Sequence, residues 1–197
     1  MASTFLPEWD RCHPDDLWVY DKLILSKKLG YICGPKGADT PKPGKYLIKP
    51  CVNFMGMGRG AKILNLRYTT DFRLPDGFFW MEIFRGKHLS IDYYKGQQRL
   101  CVEGFRTSSD LSKWDRWQKT SDKIPFPKIQ LKGNYKWVNI EMIDGNIIEI
   151  HLRRNPDFCG HTSPYITPSY GRKKLKGHTF IKGQDYKRIG YFIKCQH

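Results

Sequence analysis

The chain has 197 residues, 34 of them Lys or Arg and 19 Asp or Glu, for a formal charge of +15; 40% are apolar and 14% aromatic. That composition excludes a disordered chain, and the charge calls for a polyanionic partner: nucleic acid, nucleotide phosphates or a phosphorylated substrate. No stretch approaches the roughly 18 consecutive apolar residues of a membrane span, the opening MASTFLPEWDRC lacks the basic-then-apolar pattern of a secretory signal, and six scattered cysteines without a CxxC pair read as reduced thiols of a cytoplasmic protein.

In chain order, residues 15–29 are predicted as the first helix, with Asp15 or Asp16 as cap, Leu17, Tyr20, Ile24 and Leu29 near helical spacing, and Gly30 to end it. Residues 34–44 hold three Pro and three Gly and read as a loop. A second short helix is predicted over 109–119. The rest reads as strand: 45–52, 62–68, 78–84, 87–94, 98–105, 135–143, 146–153 and 190–194, each rich in β-branched or aromatic residues and bounded by Gly, Pro or Asp. Short turns at Arg85-Gly86 and Asp144-Gly145 imply antiparallel pairing. The expected class is α+β, mainly antiparallel sheets with few helices.

Three segments can carry chemistry. Asn53-Phe-Met-Gly56-Met57-Gly58-Arg-Gly60-Ala61 places glycines at alternate positions, so backbone N–H groups can approach phosphate oxygens, and Lys49-Pro50 lies just upstream. It is neither a P-loop nor a Rossmann turn, because GxxxxGK[ST] is absent and a strand follows it; a bare hairpin tip fits the same residues. The second segment, 137–153, alternates cleanly. Val138, Ile140, Met142, Ile148, Ile150 and Leu152 share one face only if the loop has an odd residue count, and a three-residue loop, Ile143-Asp144-Gly145, is predicted. Asn139 then opposes Glu149, and Glu141 opposes residue 147. Glu141 and Glu149 lie diagonally close on the polar face, where two carboxylates repel unless a cation sits between them; Mg²⁺ suits such oxygen ligands, and a solvated outer face is the alternative. The third, 79–92, reads as a buried hairpin. Cys159-Gly160-His161 offers two metal ligands with nothing nearby to complete a tetrahedral set.

In this order the segments resemble the ATP-grasp superfamily. Asp21-Lys22 through Leu29-Gly30, followed by Pro35, is similar to its DK…LxxxGxxxP opening. Lys45–Pro50 with the glycine loop is similar to its KP…GxGG strand and clamp. Glu82-Ile83-Phe84-Arg-Gly86 with Ser90-Ile-Asp92 is similar to its adenine hinge. Asp144-Gly145 with Glu149-Ile-His151 falls where the family has dG…xEiNxRP. The resemblance implies a two-subdomain arrangement and an ATP-dependent ligase that activates a carboxylate as an acyl phosphate for attack by an amine or similar nucleophile. It implies that Lys22 and Lys49 hold the ATP phosphates, that the backbone of Gly56, Met57, Gly58 and Gly60 closes over them, and that Glu82, Ile83 and Phe84 line the adenine pocket. Glu141 and Glu149 would bind Mg²⁺, and Arg153 would steady the transferred phosphate. Two positions depart from the pattern: His151 stands where the second metal position is usually Asn, a role Asn155 can take, and His88 replaces the acid that holds the ribose. About 14 residues precede the first helix, so the usual N-terminal substrate domain is expected to be absent.

The nucleotide-binding region is thus assigned to 15–157 and a basic extension, packed on the same domain, to 158–197. The run 172–194 carries eight Lys or Arg against one Asp, interleaved with Phe180, Tyr186, Tyr191 and Phe192. Such a mixture suits single-stranded nucleic acid or an anionic substrate, and equally a solvated basic face with the aromatics turned inward. A non-enzymatic nucleic-acid-binding domain is therefore the alternative to an ATP-dependent ligase.

Overall fold

In the computed structural model, residues 11–52, 58–67, 74–171, 174–185 and 187–195 are described, the side chains of 184 and 185 apart. The chain builds two antiparallel sheets and passes between them at residues 82–87. The first sheet holds β1 (Cys33–Pro35), β2 (Gly44–Pro50), β3 (Lys62–Leu66) and β4 (Phe78–Met81) in the order β1-β4-β2-β3. The second holds β5 (His88–Tyr94), β6 (Gln97–Phe105), β7 (Arg116–Lys119), β8 (Trp137–Ile143), β9 (Asn146–His151), β10 (Tyr165–Ser169), β11 (His178–Asp185) and β12 (Arg188–Lys194) in the order β11-β12-β10-β7-β6-β5-β8-β9. The class is α+β with mainly antiparallel sheet, as the sequence predicts.

Several elements differ from the sequence reading. The single predicted helix is two pieces, a 3₁₀ turn over Pro14–Tyr20 and α1 (Lys22–Lys28). Asp21 breaks it: its extended backbone makes it the N-cap of α1, and its carboxylate accepts from the N–H groups of Leu23 and Ile24 at 2.9 Å. Leu17 and Ile24 are consequently exposed (46% and 43%), and Val19 and Leu25 reach the core instead. Asp16 caps nothing; His13 caps the 3₁₀ turn, and Asp16 accepts from Lys132 N, Gly133 N and Tyr135 Oη. The predicted helix over 109–119 is a chain of turns ending in β7. Arg85-Gly86 is not a hairpin turn, because β4 and β5 belong to different sheets. Gly86, with φ of +121°, packs against the Asp144 turn where an added Cβ would meet Asp144 Cβ at 2.8 Å.

The hairpin β8–β9 reaches its parity by a different device. The turn is the two-residue Asp144-Gly145, both at positive φ (49° and 81°), with Ile143 paired to Asn146. Ile148 is then the extra residue of a β-bulge, after which Glu141 pairs directly with Glu149 and Asn139 with His151. Ile147 therefore takes the core position expected of Ile148, and Ile148 lines the cleft on the other side.

One face of the eight-stranded sheet carries Leu89, Ile91, Tyr93, Val138, Ile140, Met142, Ile147 and Ile150, buried under Val19 and Leu25. Burial on this scale, at about 25 cal/mol per Å² of apolar surface, is what holds the sheet to the N-terminal segment. The opposite face looks across a cleft toward Leu47, Lys49 and Met81 of the first sheet, whose other face packs Tyr46, Ile48, Leu66 and Trp80 together.

Candidate nucleotide and metal site

The cleft between the sheets has a volume of about 280 Å³. Of the residues expected to form the site, Lys22, Lys49, Gly58, Ile83, Phe84, His88, Glu141, Glu149, His151, Arg153 and Asn155 all line it. Gly60 stands off the lining, at φ of +79° beside Phe78. Glu82 also stands off it; its carboxylate accepts from Ile32 N at 2.8 Å, pinning the connector between the sheets to the start of β1. Gly56 and Met57 lie outside the described residues.

Two lysines come together through the backbone. Lys22 N, at the start of α1, donates to Cys51 O at 2.7 Å, which ties the helix to the end of β2 and sets Lys22 beside Lys49. Lys49 is 7% exposed and lies 5.4 Å from the centre of the Phe79 ring. Burial and the charge of Lys22, opposed by Glu149, push its amine down to about 7. Such a lysine is poised to become charged when an anion arrives.

The carboxylates face each other across the β8–β9 ladder. Glu149 Oε2 meets Lys22 Nζ at 3.1 Å and Oε1 meets His151 Nε2 at 3.3 Å. Burial raises the Glu149 carboxyl, but Lys22 and His151 outweigh it and hold the group well below the usual carboxylate range, so it is ionised at neutral pH. Glu141 Oε2 lies 3.2 Å from His88 Nε2. Beside them Asn139 donates to Ser90 Oγ and Asp92 Oδ1 at 2.9 Å, and Asp92 accepts from Asn155 N at 2.8 Å. This buried network sets the backbone at Asn155, whose own carboxamide oxygen caps the 3₁₀ turn over Pro156–Phe158 by accepting from Asp157 N.

Sequence reasoning missed one wall of the cleft. Arg106, Leu111, Trp114, Trp117, Asp157, Phe158 and Arg188 all line it. Arg188, from the basic C-terminal run, is buried and grips Asp157 with both terminal nitrogens, one of them at 3.0 Å. No local motif marks these residues, because strand pairing between distant segments brings them in. The described aromatics of the C-terminal run turn inward: Tyr191 and Phe192 are buried, and Phe180 packs on Phe192 at 5.2 Å.

Glu141 and Glu149 suit a hard divalent cation. Like charges directly opposite on a ladder are unfavourable unless compensated; Lys22 and His151 meet Glu149, and His88 meets Glu141. Among the described residues no three His, Cys, Asp or Glu side chains converge into a ready-made metal cage. Mg²⁺ needs none, since it takes one or two carboxylates and completes its shell with water and phosphate. Among the described residues no helix is long and apolar enough to cross a membrane.

No family model and no curated protein matches the sequence. Solved structures do. A protein from Archaeoglobus fulgidus assigned to the ATP-grasp superfamily superimposes with a TM-score of 0.53 at 17% identity, over 91% of this chain and 65% of its own. D-alanine–D-alanine ligase from Bacillus anthracis matches at 14% identity and a TM-score of 0.42, over 69% of this chain and 56% of its own. The chain thus spans less than two thirds of the length of either protein. The two-sheet architecture with its intervening cleft is an ATP-grasp-like fold.

Proposed function

We propose that the cleft binds Mg-ATP and that the chain is a ligase: a substrate carboxylate is activated as an acyl phosphate and then taken by an amine or similar nucleophile. The observation that carries this reading is the facing of two buried lysines by two ladder-paired carboxylates across one cleft. Lys49 and Lys22 bind the phosphates, the backbone around Gly58 and Gly60 covers them, and Ile83, Phe84, Ile143 and Ile148 offer the apolar slot for adenine. His88 stands in for the ribose-binding acid. Glu141 and Glu149 hold Mg²⁺, with His151 orienting Glu149 and Asn155 beside them. When bound, Mg²⁺ neutralises charge developing on the transferred phosphoryl group.

The carboxylate oxygen attacks the γ-phosphorus, the bond to the β–γ bridging oxygen breaks, and ADP leaves with that electron pair. The nucleophile then adds to the acyl carbon, phosphate departs, and the amine gives up a proton. Arg153 steadies the phosphoryl group through both steps by fixed positive charge. The direct test is isothermal titration with Mg-ATP against ATP in EDTA, followed by an ADP-release screen of acid and amine pairs. Failure to bind Mg-ATP sinks the reading.

A further inference from the structure

The cleft extends past the nucleotide residues onto an aromatic shelf. Strand pairing sets the distance: Trp117 pairs with Gly104, Gly104 with His88, and His88 with Ile143. At about 4.8 Å per strand, the Trp117 backbone stands roughly 14 Å from the backbone of the proposed adenine wall at Ile143 and roughly 10 Å from that of His88, whose ring contacts Glu141. The shelf is built by a missing side chain. A Cβ on Gly104 would meet Trp114 at 2.7 Å and Trp117 at 2.9 Å, so only glycine lets the two indoles lie over β6. Their centroids are 4.6 Å apart, and His88 stands edge-on to both at 4.7 and 5.4 Å. Trp114 is further fixed by its backbone N–H, which donates to Tyr170 Oη at 2.7 Å, and by Arg106 stacked 4.8 Å from its ring. Trp114 is buried and serves as the support; Trp117 is half-buried and presents its ring to the cleft.

We infer that this shelf binds the acid substrate, and that the acid is a small carboxylic acid carrying a planar unsaturated ring. The inference rests on the ligase reading for the carboxylate, while the ring follows from the shelf itself: stacked or edge-on aromatic pairs are favoured beyond their area by an amount equal to about tenfold in affinity. Arg153, which lines the same cleft, supplies the positive charge for the carboxylate.

The test is titration calorimetry of benzoate, trans-cinnamate, nicotinate and indole-3-acetate, each against hexanoate and cyclohexanecarboxylate, with and without saturating Mg-AMPPNP. At least one ring acid binds about tenfold tighter than the saturated acids, and it binds together with the nucleotide. Trp117→Leu removes that preference and Trp117→Phe keeps it, with Mg-AMPPNP binding as the report of an intact fold. The inference is overturned if no planar acid outbinds the saturated ones, if Trp117→Leu leaves the preference unchanged, or if Mg-AMPPNP displaces the ring acid, which would make the shelf the adenine site. A protein that ignores Mg-AMPPNP yet binds planar acids through Trp117 loses the ligase reading and keeps the shelf.

Discussion

Lys49 and Glu149 show how one buried group conditions another. Lys49 titrates at about 7, against an ordinary 10.5, because burial and Lys22 disfavour its charge. Bound phosphates would restore that charge, so Mg-ATP binding at pH 8 is expected to take up close to one proton. Calorimetry in phosphate and in Tris checks this: the binding enthalpy should differ between buffers for the native chain and not for Lys49→Met, which should also bind at least tenfold more weakly. The effect on stability follows from the sign of the shift. The unfolded lysine holds its proton up to its ordinary value while the folded one loses it near 7, so stability rises from pH 7 toward 10.5; Lys49→Met lacks this rise in urea titrations. Glu149→Gln is expected to abolish Mg²⁺-dependent turnover. From sequence alone that change costs little stability, but the ion pair with buried Lys22 alters the expectation: an uncompensated ammonium remains, at a cost on the order of 3 kcal/mol, visible in denaturant melts.

The elements were legible in proportion to how local their causes are. The alternation of residues 137–153 announced a hairpin with both glutamates on its polar face, and both are there. The pattern predicts the odd residue in the turn, whereas the structure stores it at Ile148, because Asp144-Gly145 alone makes the tight turn that suits twisted strands. Strands β1, β7, β10 and β11 do not read as strands in the sequence: β1 and β7 are only three and four residues long, and the partners β4 of β1 and β10 of β7 lie more than forty residues away. The shelf is not legible either, since no local pattern near Trp114 or Trp117 tells that Gly104 lies beneath them. Because Ile148 is the bulge residue, its deletion leaves Met142–Ile147 and Glu141–Glu149 paired in an unbroken ladder. We expect the deletion variant to fold, melt a few degrees lower and bind Mg-ATP within tenfold of the native chain. Loss of folding or of all nucleotide binding in thermal-shift titrations would count against it.

Across the whole molecule, the chain crosses between sheets at 82–87, and the N-terminal segment is held to the second sheet by its core contacts and by Asp16. Burial raises the Asp16 carboxyl, but the N–H groups of Lys132 and Gly133 and the Tyr135 hydroxyl outweigh it and lower it below its ordinary value. The stability it contributes is therefore present above the ordinary carboxylate range and is lost as pH falls through it. Asp16→Ala leaves those donors without their acceptor, and a loss of about 3 kcal/mol is expected at pH 7, narrowing toward pH 3, measured by urea unfolding at both values. The sequence pattern reached this scale through the order of its motifs, which suffices for the nucleotide half of the cleft. The half lined from β7 and β12 depends on where a basic C-terminal segment docks, and its buried Arg188 is indistinguishable in sequence from its exposed neighbours.

The bulge at Ile148 has a consequence for how such a chain can change over generations. A strand that loses or gains one residue normally exchanges its two faces. Here one residue is held in reserve between the turn and Glu149, so this hairpin can shorten by one without moving either glutamate to the buried side. A single-residue gain or loss between Asn139 and Met142, or between Glu149 and His151, has no such reserve. Among homologous chains, length differences in this hairpin should therefore collect at 147–148 and spare the positions that carry the carboxylates.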